Sequence, residues 1–258
     1  MRLALAQLNP IIGDLEGNAQ KILDVCEHIQ NKEVNLVLTP ELSLIGYPPK
    51  DLLFNPLLFK YEKNILTDLS GKIHTANPYL SVLIGIAEPT KDNQIPKLYN
   101  SIVILENRKW RVIARKQLLP TYDIFDEKRY FRSSEKSSVL ELFHQRKIWK
   151  IGITICEDIW VEEDLQSRRI SGADPIKSLE AEDLDLLINL SASPFIQSKN
   201  ILRQKIAAKA AIRLSCPLIY LNQVGGNDEL IFDGSSFALN KKGELQEELP
   251  AFAESVKI

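Results

Sequence analysis

Three residues that could act together in catalysis each lie at the end of an apolar segment. They are Glu41, Lys116 and Cys156, and each comes at or just after a run rich in Val, Ile or Leu that has the length of a β-strand. Enzymes built on sheets place reactive groups where strands end, because the rigid strands aim those side chains into a crevice. A carboxylate, an ammonium group and a thiol in one crevice would serve nucleophilic catalysis by the thiol.

The positions of the histidines decide which group could act as the base. A reactive cysteine usually works with a histidine. His28 and His74 lie in helix-like segments, and His144 lies near the start of a strand-like segment. Because none of these histidines follows the end of a strand, a carboxylate is the remaining candidate base.

The residues after Cys156 make its reactivity conditional. Glu157 and Asp158 follow it directly, and negative charges beside a thiol raise its pKa and keep it unreactive. A reactive Cys156 therefore needs a nearby cation such as Lys116. Taken singly, these residues have simpler interpretations, because a free cysteine after a strand is usually a small buried hydrophobic residue and a lone Glu or Lys is usually a surface charge.

The composition is that of an ordinary globular chain. The 258 residues are 45% hydrophobic and 26% charged, with a net charge of −2, which disfavours disorder, collagen-like repeats and a disulfide scaffold. Positive charge is not concentrated in one run, which argues against nucleic-acid binding. The length allows one large domain or two small ones.

Cysteine usage and the apolar runs predict the cellular compartment. The three cysteines are widely spaced, form no C-x-x-C pair and provide no ligand set for structural zinc, which favours a reducing cytoplasm. The first apolar segment meets Asn9 and Pro10 too early for the core of a signal peptide. No later run reaches the roughly 18 apolar residues of a membrane span. We therefore predict a cytoplasmic protein.

The apolar segments predict strands that alternate with helices. Predicted strands cover residues 3–8, 34–38, 80–87, 101–105, 111–116, 148–155, 184–190, 218–222 and 236–239, and predicted helices cover residues 18–30, 58–73 and 199–214. The polar residues 106–109 are typical of a hairpin, so antiparallel strands are mixed in. This pattern predicts a layered α/β fold in which two mixed sheets face each other and helices cover the outsides. A single such domain could use the whole chain.

Three segments around the candidate residues resemble the signature blocks of the nitrilase, or carbon-nitrogen hydrolase, superfamily. They are TPELSLIGYP at residues 39–48, RKQLLPTY at residues 115–122 and GITICEDIW at residues 152–160. The order and context of these blocks make the resemblance specific, and it covers nearly the entire chain. It implies an α/β fold of the four-layer αββα sandwich type. It also implies that Glu41 is the general base, Lys116 stabilises the oxyanion and Cys156 is the nucleophile.

Further details resemble the N-terminal glutaminase portion of glutamine-dependent NAD synthetases. They include LSASP at residues 190–194 and NQVGGNDELIFDGSSF at residues 222–237. The resemblance implies that L-glutamine is hydrolysed to glutamate and ammonia through a cysteine thioester. The ammonia would reach a C-terminal domain that uses ATP to amidate deamido-NAD to NAD. Gly225 and Gly226 predict a tight loop that needs positive φ, either for backbone shape or to line a tunnel or pocket.

The resemblance also implies a division of labour between domains. The chain has no Ser-Gly-Gly-x-Asp-Ser pyrophosphate loop, so we expect residues 1–258 to form a single carbon-nitrogen hydrolase domain without the synthetase domain. ATP and Mg²⁺ would belong to that absent domain, and no cofactor or metal is expected here. The expected partners are L-glutamine, an NAD synthetase domain or subunit, and further copies of the chain in a homo-oligomer, with no nucleic acid and no membrane.

Two other functions stay open. Without a synthetase half, the chain could be a stand-alone carbon-nitrogen hydrolase, similar to an ω-amidase, that acts on another small amide or nitrile. It could also be a non-catalytic scaffold for an assembly or an ammonia channel. A scaffold, however, has no need of Glu41, Lys116 and Cys156 together.

The resemblance extends the candidate site beyond the triad. Glu127 matches the position of an additional active-site glutamate, although it could be a solvated charge in a loop. Tyr122, Ser193 and Lys199 match positions that bind glutamine, and Glu157 could pair with the α-ammonium group as Lys199 pairs with the α-carboxylate. Lys199 also begins a predicted helix and could be solvated there.

Three aromatic residues could complete the pocket. Tyr47, Trp160 and Phe195 could form its wall and exclude water, although aromatic side chains near strand ends usually belong to the core. The candidate site thus combines the triad with Glu127, four residues that could bind substrate and three aromatic residues of the wall.

Overall fold

The computed structural model describes residues 1–92, 95–122, 125–162, 165 and 172–258. Its strands are β1 (Leu3–Gln7), β2 (Leu36–Leu38), β3 (Ser81–Pro89), β4 (Leu98–Glu106), β5 (Lys109–Arg115), β6 (Ser138–His144), β7 (Lys147–Ile155), β8 (Leu186–Ser191), β9 (Leu218–Asn222), β10 (Val224–Asn227), β11 (Leu230–Asp233), β12 (Phe237–Leu239), β13 (Leu245–Glu248) and β14 (Ser255–Lys257). Its α-helices are α1 (Leu15–His28), α2 (Pro56–Ala76), α3 (Glu127–Tyr130) and α4 (Lys199–Arg213). Short 3₁₀ helices cover Lys50–Phe54, Cys156–Ile159 and Lys177–Leu179.

The strands form two six-stranded sheets and a separate hairpin. The first sheet has the order β14-β1-β2-β3-β4-β5, the second has the order β13-β12-β9-β8-β7-β6, and β10 pairs with β11. In the first sheet β1, β2 and β3 are parallel, and in the second β7, β8 and β9 are parallel. Antiparallel pairing of β3 with β4 and of β4 with β5 makes β5 run in the same direction as β2. The carboxyl ends of β2 and β5 therefore meet at one edge of the first sheet.

Three clusters of buried apolar side chains lie between four layers. The first cluster includes Val82 of β3 and Ile22 of α1, and it joins the first sheet to α1 and α2. The second lies between the two sheets and includes Ile153 of β7. The third joins the second sheet to α4 and includes Leu187 and Ile206. The four-layer αββα sandwich predicted from the sequence is therefore confirmed.

Strand β7 lies between two of these clusters, and its alternating residues face one or the other. Ile151, Ile153 and Ile155 point into the core between the sheets. Gly152 lies on the other face, where an added Cβ would come within 2.6 Å of a methyl carbon of Leu184. Because side chains alternate along a strand, this alternation also fixes the face of the sheet at which the residue after β7 begins.

The two long N-terminal helices begin earlier than the sequence predicts. The Asp14 side chain accepts a hydrogen bond from Gly17 N (2.9 Å) and caps α1. The Asn55 side chain caps α2 in the same way, with Pro56 at the first helical position. Capping residues stabilise the first helical turn before the apolar periodicity starts, which is why the pattern alone misplaces both starts. None of the helices in these described ranges combines the length and the hydropathy needed to cross a bilayer.

The sequence pattern does not reveal β6, β10 or β11, and it predicts β13 and β14 only as one extended piece that follows a turn at residues 241–243 and ends at Ile258. All four residues of β13 are exposed, so no alternation of apolar residues marks it. The prediction of a tight loop at Gly225 and Gly226 is wrong, because both lie in β10, but the predicted positive φ is found at Gly225 (121°). A Cβ on Gly225 would also lie 2.0 Å from Asn9 Oδ1. The positive φ and the close approach of Asn9 therefore both require glycine there.

Candidate active site

The three residues of the predicted triad come from two different sheets. Glu41 lies in the loop after β2, and Lys116 follows β5 directly, so both belong to the first sheet. Cys156 follows β7 in the second sheet. Lys116 Nζ lies 2.7 Å from Glu41 Oε1, and Tyr122, six residues after Lys116, donates a hydrogen bond to Glu157, the residue after Cys156. The structure therefore brings the three segments into one neighbourhood.

A buried ammonium group lies at the centre of this neighbourhood. Lys116 Nζ donates hydrogen bonds to Glu41 Oε1 (2.7 Å) and to Glu127 Oε1 (2.8 Å). Tyr47 Oη donates to the same oxygen of Glu127 (2.7 Å). All four side chains are buried. The structure therefore places Glu127 and Tyr47 beside the triad and not in solvated positions.

Glu41 is held by three donors. Lys116 Nζ and Asn100 Nδ2 both donate to Oε1, the latter over 2.7 Å, and Ala192 N donates to Oε2 over 2.9 Å. These bonds fix the orientation of the carboxylate. Since Oε2 accepts one hydrogen bond from the residues that the structure describes, it keeps a lone pair that can take up a proton.

The loop that carries Glu41 packs directly on strand β3. Thr39 Oγ1 donates to Leu83 O (2.8 Å), and Leu44 N donates to Gly85 O (3.1 Å). A Cβ added to Gly85 would lie 2.2 Å from Leu42 N, which is closer than van der Waals contact allows. Glycine at this position therefore lets the loop approach the strand and sets the depth of Glu41.

Cys156 lies at a sharp change from strand to helix. It is the first residue of the 3₁₀ helix Cys156–Ile159 and has φ of 48°, a left-handed conformation that is rare for residues with a Cβ. Burial and then the negative charge of Glu41 raise the pKa of the Cys156 thiol well above its usual value, against the effect of Lys116. At rest the sulfur is therefore a thiol, and it could act as a nucleophile only if a base takes its proton.

Opposing effects set the ionisation of the groups around the thiol. Burial lowers the pKa of Lys116, but Glu127 and Glu41 outweigh it and raise that pKa well above its usual value, so the group stays an ammonium ion. Burial raises the pKa of Glu127 to about 7, although Lys116 opposes the shift. Glu127 Oε2 is buried and has no hydrogen-bond partner within the part of the chain that the structure describes.

The predicted substrate-binding residues form a second group around Cys156. Tyr122 Oη donates to Glu157 Oε1 (2.8 Å), and burial raises the pKa of Glu157. Lys199 Nζ lies 5.5 Å from the centre of the Trp160 ring. Burial, followed by Arg203, lowers the pKa of Lys199. Among the described residues, no ion pair joins Lys199 to an acid.

Ser193 is bound more tightly to the protein than the sequence predicts. Its side chain is buried, and its Oγ accepts a hydrogen bond from Arg203 Nε (3.2 Å). Ser193 N donates to Asn222 Oδ1 (2.8 Å). Arg203 also pairs with Asp233 through Nη1 (2.8 and 2.9 Å) and donates to the carbonyl oxygen of Ser193. This buried ion pair fixes the loop after β8, which includes the Ala192 N–H group that holds Glu41.

A cavity of about 260 Å³ lies against the cluster around Lys116. Tyr47 and Glu127 form part of its wall, together with Lys50, Phe125 and Tyr130. Cys156 and Lys199 do not line it. Tyr47 and Glu127 therefore lie between the triad and this cavity. They form part of the cavity wall and also part of the hydrogen-bonded cluster around Lys116.

Sequence reasoning missed Asn100 and Arg203. Asn100 lies in β4, where it precedes the buried apolar residues 102–105, and an amide in such a strand is a signal that could have been used. The predicted strand begins one residue later, at Ser101, and so leaves Asn100 out. Arg203 lies on α4 among other basic residues and carries no sequence signal that separates it from a solvated charge.

Comparison with known families decides the relationship. The sequence profile of the family described as Carbon-nitrogen hydrolase matches residues 2–258. The chain belongs to the carbon-nitrogen hydrolase family. It is therefore an enzyme that hydrolyses carbon-nitrogen bonds.

The curated relatives of this family member are longer proteins. A glutamine-dependent NAD(+) synthetase from Synechocystis sp. is 42% identical over 259 residues, covering 99% of this chain and 45% of the relative. A glutamine-dependent NAD(+) synthetase from Thermotoga maritima is 35% identical over 246 residues, covering 95% of this chain and 39% of the relative. This carbon-nitrogen hydrolase thus spans less than half the length of these relatives.

Solved structures agree with the family assignment. A glutamine-dependent NAD+ synthetase from Acinetobacter baumannii superposes with a TM-score of 0.84 at 33% identity, covering 99% of this chain and 44% of that one. An amidase of the nitrilase superfamily from Nesterenkonia AN1 superposes with a TM-score of 0.76 at 19% identity, covering 99% and 88%. The second similarity shows the fold alone, and that fold is the nitrilase-like sandwich.

Proposed function

We propose that this chain is a glutaminase that hydrolyses L-glutamine to glutamate and ammonia. The observation that carries the proposal is the pair of opposite charges beside Cys156. Glu157 directly follows Cys156 in the 3₁₀ helix and accepts a hydrogen bond from Tyr122 Oη (2.8 Å), and Lys199 Nζ lies 5.5 Å from the ring centre of Trp160, the residue that ends this helix. An α-amino acid carries an ammonium and a carboxylate group that match this pair. The names of the relatives support glutamine as the amide.

In the proposed acylation step, Cys156 attacks the side-chain amide carbon of glutamine. Glu41 Oε2 takes the thiol proton as the bond from Sγ to carbon forms. Lys116 and the backbone N–H group of Glu157 stabilise the negative oxygen of the tetrahedral intermediate. The carbon-nitrogen bond then breaks, and Glu41 returns the proton to the nitrogen, which leaves as ammonia.

Deacylation uses the same groups in a second cycle. Glu41 takes a proton from water as the water oxygen bonds to the thioester carbon, and the bond from carbon to Sγ breaks as the proton returns to sulfur. Glutamate is released, and the thiol is regenerated. Glu127 Oε2 has no partner among the described residues and is therefore available to accept a hydrogen bond from the amide nitrogen of bound substrate.

The further fate of ammonia is also a proposal. We propose that it supplies an ATP-dependent NAD synthetase domain or subunit, because the longer relatives of this chain are named glutamine-dependent NAD(+) synthetases. Mixing the chain with an ammonia-dependent NAD synthetase, ATP, Mg²⁺ and deamido-NAD should then make NAD formation depend on glutamine and on Cys156. Equal NAD formation with the Cys156→Ala variant would contradict this part of the proposal.

Two truncated substrates test the recognition of glutamine. Glutaramic acid lacks the α-ammonium group of glutamine, and 4-aminobutanamide lacks the α-carboxylate. Each should lose about 10- to 100-fold in kcat/KM, because a hydrogen bond to a charged group contributes about 1.5 to 3 kcal/mol. The Lys199→Met variant should lose a similar factor with glutamine and little with 4-aminobutanamide.

The same measurement separates the alternatives. Equal turnover of glutamine and simple ω-amides or nitriles would indicate a stand-alone hydrolase with another substrate. If neither glutamine nor any of these compounds is hydrolysed, the proposed activity is wrong and a scaffold role gains support.

A further inference from the structure

The Asp158 side chain connects the two segments that carry Lys116 and Cys156. Asp158 Oδ1 accepts hydrogen bonds from Gln117 N (2.9 Å) and Leu118 N (2.8 Å). Asp158 Oδ2 accepts a hydrogen bond from Ile155 N (3.1 Å). The carboxylate is buried. One side chain thus binds the backbone directly after Lys116 and directly before Cys156.

These bonds cross from one sheet to the other. Strand β5, which leads to Lys116, belongs to the first sheet, and β7, which leads to Cys156, belongs to the second. No ladder of backbone hydrogen bonds joins β5 to β7, because they lie in different sheets. The Asp158 carboxylate therefore provides a polar connection between them at the rim where both strands end.

The backbone at Cys156 needs such a connection. Its φ of 48° is unfavourable for a residue with a Cβ, and conformations of this kind persist where the surroundings fix them. Asp158 Oδ2 binds the N–H group on the amino-terminal side of Cys156, while the Asp158 backbone lies on its carboxyl-terminal side. The strained residue is therefore enclosed in a ring closed by one hydrogen bond.

We propose that Asp158 is a positioning residue, which sets the place of the Cys156 sulfur relative to the Lys116 ammonium group. It acts through backbone hydrogen bonds and does not touch the substrate. This role adds a positioning residue to the proposed hydrolysis. It rests on that proposed function only for the kinetic measurement. Misplacing a reactive group by about 1 Å can cost about 100-fold in rate, so the loss of these bonds should lower kcat far more than it changes KM.

Two variants and a control test this role. Asp158→Asn keeps the size of the side chain but places an N–H donor against backbone N–H groups that need an acceptor. Asp158→Ser leaves a side chain that is too short to reach either segment. Asp185→Asn is the matched control, since Asp185 Oδ2 accepts from Lys150 N (2.9 Å) near the opposite end of β7. Amide hydrogen exchange, glutaminase kinetics and the alkylation of Cys156 by iodoacetamide are measured for each, at a temperature where all are folded.

The expected result is local. In both Asp158 variants the amides of Gln117, Leu118 and Ile155 should exchange faster while the rest of the chain keeps its protection. For these variants kcat should fall about 100-fold with KM within about threefold, and Cys156 should be alkylated at least about tenfold more slowly. The Asp185→Asn variant should match the wild-type chain in both rates.

The alkylation rate keeps this inference separate from the proposed function. If the wild-type chain does not hydrolyse glutamine, the glutaminase proposal fails, but the alkylation comparison still reports the placement of Cys156. Unchanged alkylation in both Asp158 variants would overturn the positioning role. Unchanged exchange at the three amides would overturn it as well, because the bonds would then not hold those segments.

Discussion

Glu41 and Lys116 form an ion pair in which neither side chain reaches solvent. The distance between Lys116 Nζ and Glu41 Oε1 is 2.7 Å, although the residues lie 75 positions apart in the chain. Breaking a buried pair by removing one partner typically costs about 3 to 5 kcal/mol, because the other charge is left uncompensated. The two residues therefore contribute to stability as well as to the proposed chemistry.

Replacement of Lys116 by Met should affect both properties. We expect kcat to fall at least about 100- to 1000-fold, because an oxyanion donor is lost. The melting temperature should also fall, because Glu41 and Glu127 would face each other without a cation. Lys128→Met, at an exposed position on α3, is the control and should change neither quantity. Glutaminase assays and thermal unfolding check both effects, and wild-type kcat in Lys116→Met would contradict the proposed role.

The three free cysteines offer an internal comparison. Cys26, Cys156 and Cys216 are all buried, but the structure places only Cys156 beside Glu41 and Lys116 among these three. We expect Cys156→Ala to abolish glutamine hydrolysis while the chain stays folded. Cys26→Ala and Cys216→Ala should keep their activity. Turnover by Cys156→Ala, or its loss in both other variants, would exclude Cys156 as the nucleophile.

Two glycines make a matched pair for the placement of Glu41. A methyl group at Gly85 would collide with Leu42 N at 2.2 Å, whereas a methyl group at Gly71 on α2 would meet nothing within 4 Å. Gly85→Ala should therefore displace the Glu41 loop and lower kcat at least about 100-fold. Gly71→Ala should leave kcat unchanged and stabilise the chain by roughly 0.5 to 1 kcal/mol. Equal kinetics in the two variants would show that the loop does not depend on this contact.

Glu62 should make stability depend on pH. Burial raises its pKa from 4.5 to about 8, and the opposing hydrogen bond from Ala87 N is long, at 3.4 Å. The folded chain therefore holds this proton where the unfolded chain releases it. The stability contributed by the neutral carboxyl group is present below pH 4.5 and is lost as the pH rises through about 8.

Glu62→Gln isolates this effect. At pH 5 the variant and the wild-type chain should unfold at similar temperatures, whereas at pH 9 the variant should be more stable by up to roughly 4 kcal/mol. Asp68→Asn is the control, because Asp68 pairs with Lys72 on the exposed face of the same helix. Thermal unfolding between pH 5 and pH 9 measures the difference, and a difference that does not grow with pH would contradict the assignment.

The sequence predicts the architecture well because it depends on local patterns. The alternation of isoleucines in β7 and the near-continuous apolar run of β8 mark strands buried on one or two faces. Helix starts are less visible, since Asp14 and Asn55 act through single capping bonds. Strand β13 is fully exposed and has no apolar signal of its own.

The sequence predicts the site as a set of residues but not as a geometry. The spacing of strand ends proposes Glu41, Lys116 and Cys156, and the structure brings them near one another. The hydrogen bond between Arg203 and Ser193, by contrast, depends on packing. It requires α4, β11 and the loop after β8, which are separate in sequence, to come into contact. Contacts of this kind follow from packing, so no local motif reveals them.

In the proposed mechanism the carboxylate and the ammonium group come from one sheet and the sulfur from the other, so neither half of the sandwich would hold a complete reaction centre. Turnover would then depend on the contact between the two halves. Heat or pressure that shifts one sheet relative to the other would abolish activity while the strands within each sheet stay paired. The enzymatic rate would therefore report how well the two layers are aligned.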